Sequence, residues 1–226
     1  MEKEKVLMYP TLCASRFSPL LAEFEFDQID PPGGVGSTIY GLWPDLTLAY
    51  ANSAWSHFAA QNGGEPAIST DWSLGRCIME ALAEPLRPFF FENYGRCLRE
   101  SRPWEHVYDC SSADVYREFY MTVFPLGKAE GLLVIHSRRI ETKHDRVPHP
   151  PLEGRYRDTD GIVTQCCHCR RIRGLENQGI WDWVPVWVKQ QPERTSHAIC
   201  PACYGFYYSG SRLDAEEIIT PFSTID

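Results

Sequence analysis

Two pairs of cysteines constrain the fold of this chain more than any other feature of its sequence. Each pair has the spacing C-x2-C: Cys166 with Cys169, and Cys200 with Cys203, about 30 residues further on. A pair with this spacing places two thiolates at one corner of a tetrahedral metal site, and a fold-back of the chain joins two such corners. Because thiolate sulfur is a soft ligand and Zn²⁺ is redox-inert, the spacing predicts one structural zinc ion as cofactor; an uncommitted thiol cluster and an iron–sulfur site are the alternatives.

The shortness of the cysteine-rich segment supports the same prediction. A module of about 45 residues buries too little apolar surface to be stable without a cross-link. Its other apolar groups lie mainly in the tryptophan- and valine-rich run 181–188. In this run Asp182 is predicted to cap a helix, with Pro185 in the first turn, where proline is tolerated.

The ligand set stays open at three positions beside the cysteine pairs. Cys167 and His168 lie inside the first pair, and His197 precedes Cys200 by three residues. A histidine beside a metal knuckle more often makes a hydrogen bond or lies at the surface than coordinates the metal. Cys167 is the expected free thiol nearest the metal, and both a bystander role and a redox role remain open for it.

The composition divides the chain into an acidic part and a mildly basic part. The formal net charge is −8; residues 1–137 hold 10 Lys and Arg against 18 Asp and Glu, whereas residues 162–212 hold 6 against 3. A polar stretch with three prolines lies between them, as is typical of a semi-rigid linker. The predicted organisation is an N-terminal extension (1–35), a first domain (36–138), a linker (139–161), a zinc module (162–210) and a C-terminal tail (211–226).

The first domain is predicted to have an α+β fold. Two short strand-like runs form a hairpin around Pro44-Asp45, helical patterns follow between residues 54 and 101, and three further strand-like runs cover 104–110, 116–125 and 131–137. Short connections between strands indicate an antiparallel sheet. We therefore expect a five-stranded antiparallel sheet with helices on one face.

Local sequence in this domain resembles the PAS family. The hairpin Ile39–Asp45 with Leu48–Asn52, whose asparagine begins the next helix, and the turn Leu74-Gly75-Arg76 look like PAS motifs. The resemblance covers residues 36–138 and implies either a small ligand between helices and sheet or a dimerisation and signal-relay role. The ligand itself is not identified by the sequence. Candidate lining residues, which would otherwise form an ordinary packed core, are Trp55, Phe58, Phe119, Met121 and His136.

The PAS resemblance also implies haem or flavin as candidate cofactors, and the sequence shows whether the residues that hold each one are present. Haem-binding members place a histidine on the long helix, and 85–101 contains none, although His57, His106 and His136 lie elsewhere in the domain. Light-sensing members use a Gly-Arg-Asn-Cys string to form a flavin adduct. Here Gly75-Arg76-Cys77 lacks the asparagine and places the thiol one position early, which argues against a flavin adduct.

The cysteine-rich segment resembles a module found at the C-termini of bacterial PAS-containing signalling proteins. The resemblance covers 163–208 and is carried by the first cysteine pair with its basic run and by the string from Ser196 to Cys203. It implies no firm biochemical role. The basic run either contacts phosphate or an acidic partner or only solvates the module; its members are Arg170, Arg171 and Arg173.

These features together predict a bacterial signal-sensing or adaptor protein. No phosphate-binding loop, dinucleotide fingerprint, nucleophile elbow or zinc-protease motif is present, so we expect no enzymatic activity. With no secretory segment or membrane-spanning apolar run, we expect a cytoplasmic homodimer that relays to a protein partner and does not bind a membrane. The alternatives are a transcription or nucleic-acid-binding factor that uses the basic module, which the acidic balance disfavours, and a haem or flavin redox sensor.

Overall fold

A computed structural model describes residues 11–22, 24, 29–31, 36–177 and 179–208. The predicted tail, 211–226, and most of the predicted N-terminal extension lie outside these residues. The chain divides into two compact units. The first comprises Met1–Ala81, Phe91–His106 and Tyr120–Arg138, and the second comprises Leu82–Phe90, Val107–Phe119 and Arg139–Asp226. No helix in the described part of the chain is long and apolar enough to cross a membrane.

Six strands form one antiparallel sheet. They are β1 (Leu12–Cys13), β2 (Thr38–Leu42), β3 (Leu48–Ala51), β4 (Trp104–Asp109), β5 (Val115–Leu126) and β6 (Gly131–Lys143), in the order β1-β3-β2-β6-β5-β4. The mixed helix-and-sheet class agrees with the prediction, but the strand count does not. The added strand, β1, pairs with β3 at the edge of the sheet and is too short for a period-two pattern to reveal it.

Helices occupy the chain between β3 and β4, as the sequence predicts. They are α1 (Ser53–Gln61), α2 (Ala67–Asp71) and α3 (Arg87–Glu100), with 3-10 turns at Ile78–Ala81 and Glu84–Leu86. The predicted cap of α1 is confirmed, because the side chain of Asn52 accepts a hydrogen bond from the backbone N–H of Trp55 at 3.2 Å. The amide of Asn52 also donates to the carbonyls of Ile29 and Ser37. This one side chain therefore fixes the start of the helix against two neighbouring segments.

A buried apolar cluster holds the first unit together. It joins the N-terminal segment to the hairpin and to the strands that follow the helices, through Phe17, Leu21, Ile29, Ile39, Ala49, Tyr50, Leu126 and Leu133. Gly41 on β2 is required by this packing. A Cβ atom there would lie 2.3 Å from the ring of Phe17, so only glycine lets the aromatic ring rest on the strand.

The second unit contains a four-stranded sheet that carries the cysteines. Its strands are β7 (Val163–Cys166), β8 (Ile172–Arg173), β9 (Trp181–Asp182) and β10 (Thr195–Ala198), in the order β10-β7-β8-β9. β10 and β7 are parallel, and the other pairs are antiparallel. Two short helices, α4 (Glu153–Tyr156) and α5 (Pro185–Lys189), pack on one face around a core of Tyr156, Val163, Ile172, Val184 and Trp187.

Asp182 has a different role from the predicted one. α5 does begin with Pro185, but the residue before it is Val184, and Asp182 lies in β9. The Asp182 carboxylate accepts hydrogen bonds from the Tyr156 hydroxyl at 2.8 Å and the Arg155 guanidinium at 2.7 Å. It therefore ties α4 to the sheet, which a reading of the local sequence around residue 182 does not reveal.

Candidate metal centre

The backbone of two tight turns positions the four cysteines. Cys166 ends β7, and its carbonyl accepts the N–H of Arg170, whose φ of 62° closes the turn that carries Cys169. In the second pair, Cys200 caps the N-terminus of α6 (Pro201–Cys203), and Cys203 is the last residue of that helix. The register of β7 and β10 places Ala198 beside Cys166, so the parallel pairing of these strands brings the two cysteine pairs together.

The four sulfur atoms form a compact cluster with the dimensions of a tetrahedral metal site. All four Sγ atoms lie within 4.8 Å of one another, and all four side chains are buried. The Sγ atoms of Cys169 and Cys200 are 3.7 Å apart. Zinc–sulfur bonds of about 2.3 Å give a tetrahedron whose edges are about 3.8 Å. The donor set and its spacing therefore fit one metal ion.

Backbone N–H donors and neighbouring thiols affect how readily each thiol of the cluster loses its proton. The N–H of Cys200 lies 3.4 Å from the Sγ of Cys166, and the N–H of Cys203 lies 3.5 Å from the Sγ of Cys200. Hydrogen bonding with Cys166 lowers the pKa of Cys200, whereas hydrogen bonding with the three other thiols raises the pKa of Cys203. Four buried sulfurs this close cannot all ionise without a cation, so a bound metal ion would be needed to stabilise four thiolates here.

The three further candidates lie outside this cluster. Among the described residues, the group able to hold a metal consists of the four cysteines alone. His168 stacks on Tyr207, with ring centroids 4.1 Å apart. Cys167 donates its backbone N–H to a carbonyl on β10, and burial raises the pKa of its thiol. The ring of His197 lies 3.5 Å from the side-chain amide of Gln191, and burial lowers the pKa of His197.

An arginine that the sequence did not single out links the metal centre to the end of β4. The Arg146 guanidinium donates to the carbonyl of Cys169 at 3.0 Å and to the carboxylate of Asp109 at 2.5 Å. It also lies over the rings of Trp183 and Tyr116, 4.7 and 5.7 Å from their centroids. Arg146 therefore fixes the orientation of the peptide group that follows one cysteine ligand. The sequence does not indicate this role of Arg146, because its hydrogen-bond partners are 23 and 37 residues away.

The predicted lining residues of the first domain are placed in different surroundings. Trp55 and His136 both contact the ring of Tyr40, edge-on and stacked respectively, each with centroids 5.3 Å apart. Met121 is buried in β5, and Phe58 is half-buried on α1. The fifth residue, Phe119, belongs to the second unit, where it stacks on Tyr108. The structure thus brings Trp55 and His136 to one aromatic ring, whose hydroxyl lies 3.2 Å from that of Tyr94.

Two histidines, His106, which is buried, and His136, which is half-buried, make the first unit sensitive to acid. Burial lowers the pKa of both His106 and His136 to about 4. Since an unfolded histidine binds a proton near pH 6.5, the unfolded state takes up more protons below that pH. The contribution of each neutral ring to the free energy of unfolding is complete above pH 6.5. It is lost as the pH falls towards 4, and the loss reaches about 3 kcal/mol per residue.

The His136→Phe variant retains a ring beside Tyr40 but cannot take up a proton there. Between pH 7 and pH 4.5, we expect its free energy of unfolding to fall by about 2–3 kcal/mol less than that of wild type. Urea unfolding at both pH values measures the difference. Equal losses in wild type and His136→Phe would contradict the prediction.

No model of a known protein family matches the chain, and no curated protein matches it either.

Proposed function

We propose that this protein is a signal-sensing adaptor whose second unit is held together by one structural zinc ion. The observation that carries the proposal is the buried cluster of four sulfurs within 4.8 Å of one another. Four cysteines leave no open coordination position, which is the arrangement of structural rather than catalytic zinc. A four-iron cluster would hold the sulfurs farther apart, because iron and sulfide ions would lie between them.

The sensing part of the proposal rests on the PAS resemblance of residues 36–138. Residues 38–143 support it with a hairpin, a helical segment and three later strands in that order, with β2 paired to β6. Tyr40, Trp55 and His136 form an aromatic group between β2, β6 and α1 that would contact a small ligand. Ligand binding there, or dimerisation, would change how the zinc unit is presented to a protein partner.

The nucleic-acid alternative draws little support from the basic run. Arg170 is exposed, but Arg171 and Arg173 are half-buried, and Arg173 bonds to Thr164. A single-stranded nucleic-acid site needs a continuous basic groove with exposed aromatic platforms. The three arginines therefore do not act as one patch.

Native mass spectrometry and an ultraviolet–visible absorption spectrum of the freshly purified full chain test the proposal. We expect one zinc ion per chain, a dimeric assembly and no visible absorption band. A mass that fits iron and sulfide would overturn the zinc assignment, and visible absorption would favour the haem or flavin alternative. A monomer that carries no small molecule would remove the sensing role and leave only an adaptor.

A further inference from the structure

One face of the four-stranded sheet carries a row of hydrogen-bond donors. Each strand contributes one side chain: Trp181 from β9, Arg173 from β8, Thr164 from β7 and Ser196 from β10. Arg173 lies opposite Trp181, and Ser196 lies opposite Thr164. The antiparallel register of β7 and β8 puts Thr164 opposite Arg173. The four residues therefore form a straight row across the whole sheet.

Contacts along the row join three of its members. The Arg173 guanidinium donates to the Thr164 hydroxyl at 3.3 Å, and the hydroxyls of Thr164 and Ser196 are 3.1 Å apart. Because successive side chains in a strand point to opposite faces, the row lies on the face away from the apolar core that contains Val163 and Ile172. The row therefore does not contribute to that core.

The row has more donors than acceptors. Arg173 is half-buried, and no carboxylate among the described residues lies within ion-pair distance of it. Burial lowers the pKa of its guanidinium, an effect that the more distant Asp158 opposes. The indole Nε1 of Trp181 is buried and has no hydrogen-bond acceptor within the described part of the chain. Buried donors are normally satisfied, so this imbalance indicates an acceptor supplied from outside.

We propose that the row binds an oxyanion, and that its ligand carries a phosphate group. A phosphate presents several acceptor oxygens, which can accept from the Arg173 guanidinium and from the indole N–H of Trp181 on the neighbouring strand, while the Thr164 hydroxyl holds the guanidinium in place. Phosphate also carries more charge and more acceptor oxygens than a carboxylate, so it suits these two donor groups together. The site requires only the four-stranded sheet, and it does not depend on the proposed sensing role.

Titration with inorganic phosphate, followed by NMR of the ¹⁵N-labelled indole groups, tests this site on the zinc-loaded full chain. At constant ionic strength set with chloride, we expect phosphate to shift the Trp181 indole resonance in a saturable way, with the resonance assigned from the Trp181→Phe variant. Arg173→Gln should weaken binding at least tenfold. Arg170→Gln removes the same charge from an exposed position in the same unit and should change the affinity less than twofold.

Three outcomes would overturn the proposal. They are the absence of a saturable shift, equal weakening by the two arginine variants, and saturation by acetate at lower concentrations than by phosphate. Thr164→Val keeps the shape of the side chain and removes only its hydroxyl. If Arg173→Gln loses its zinc, Thr164→Val decides instead, because a loss of affinity below threefold in that variant would contradict the site.

Discussion

Replacing Cys200 with serine is expected to release the metal and to unfold the cysteine-rich part of the second unit. Cys200 is central to the cluster, since its sulfur lies 3.7 Å from that of Cys169 and accepts the N–H of Cys203. Structural zinc sites contribute about 10–16 kcal/mol of apparent binding free energy in zinc-finger peptides. That is as large as the whole stability of a typical domain, about 5–15 kcal/mol. Elemental analysis should find the zinc content fall from about one ion per chain to near zero.

Cys167→Ser is the matched control for this prediction. Cys167 is a neighbour of one ligand in sequence and is half-buried, yet its thiol lies outside the cluster of four. The control should keep its zinc, its near-ultraviolet circular dichroism and its resistance to proteolysis between residues 163 and 208. Loss of zinc from Cys167→Ser would show that the ligand set is wrong, and retention by Cys200→Ser would show that the four-sulfur site is not the metal centre.

The four-cysteine cluster could be predicted from sequence because its geometry is largely local. A C-x2-C spacing already dictates that two sulfurs meet at one turn, whatever the rest of the chain does. What the spacing does not reveal is how the two turns meet. The parallel pairing of β7 with β10 joins them, and only a contact between Cys166 and Ala198 reveals that pairing. In the same way, the stacking of His168 on Tyr207 depends on where α6 leads the chain.

The difference between local and long-range contacts also explains which elements of the fold were predicted. The Asn52 cap and the hairpin before it depend on residues a few positions apart, so the local pattern was sufficient. Asp182 looked like a helix cap for the same local reason, yet its partners Arg155 and Tyr156 are 27 and 26 residues away. Tertiary hydrogen bonds to a buried carboxylate outweigh the modest free energy of an N-cap, about 1 kcal/mol.

Arg146→Met is expected to destabilise the second unit by about 3–5 kcal/mol, because it leaves a buried carboxylate without its cation. The side chains of Arg146 and Asp109 are 10% and 3% exposed, so water does not replace the lost partner. The methionine retains apolar contact with the rings of Trp183 and Tyr116, which confines the loss to the charge and its hydrogen bonds. Chemical denaturation of the zinc-loaded protein, followed by near-ultraviolet circular dichroism, measures the change.

Two further variants test whether the unpaired, buried carboxylate of Asp109 causes the loss of stability in Arg146→Met. Lys189 pairs with Asp114, and these side chains are 61% and 72% exposed, so Lys189→Met should cost at most about 1 kcal/mol. Adding Asp109→Asn to Arg146→Met removes the stranded charge, while an asparagine oxygen can still accept the N–H of Ser111. The double variant should therefore be more stable than Arg146→Met alone, by about 2 kcal/mol. If instead Arg146→Met costs no more than Lys189→Met, the Arg146–Asp109 pair is as weak as a surface pair and does not fix the Cys169 turn.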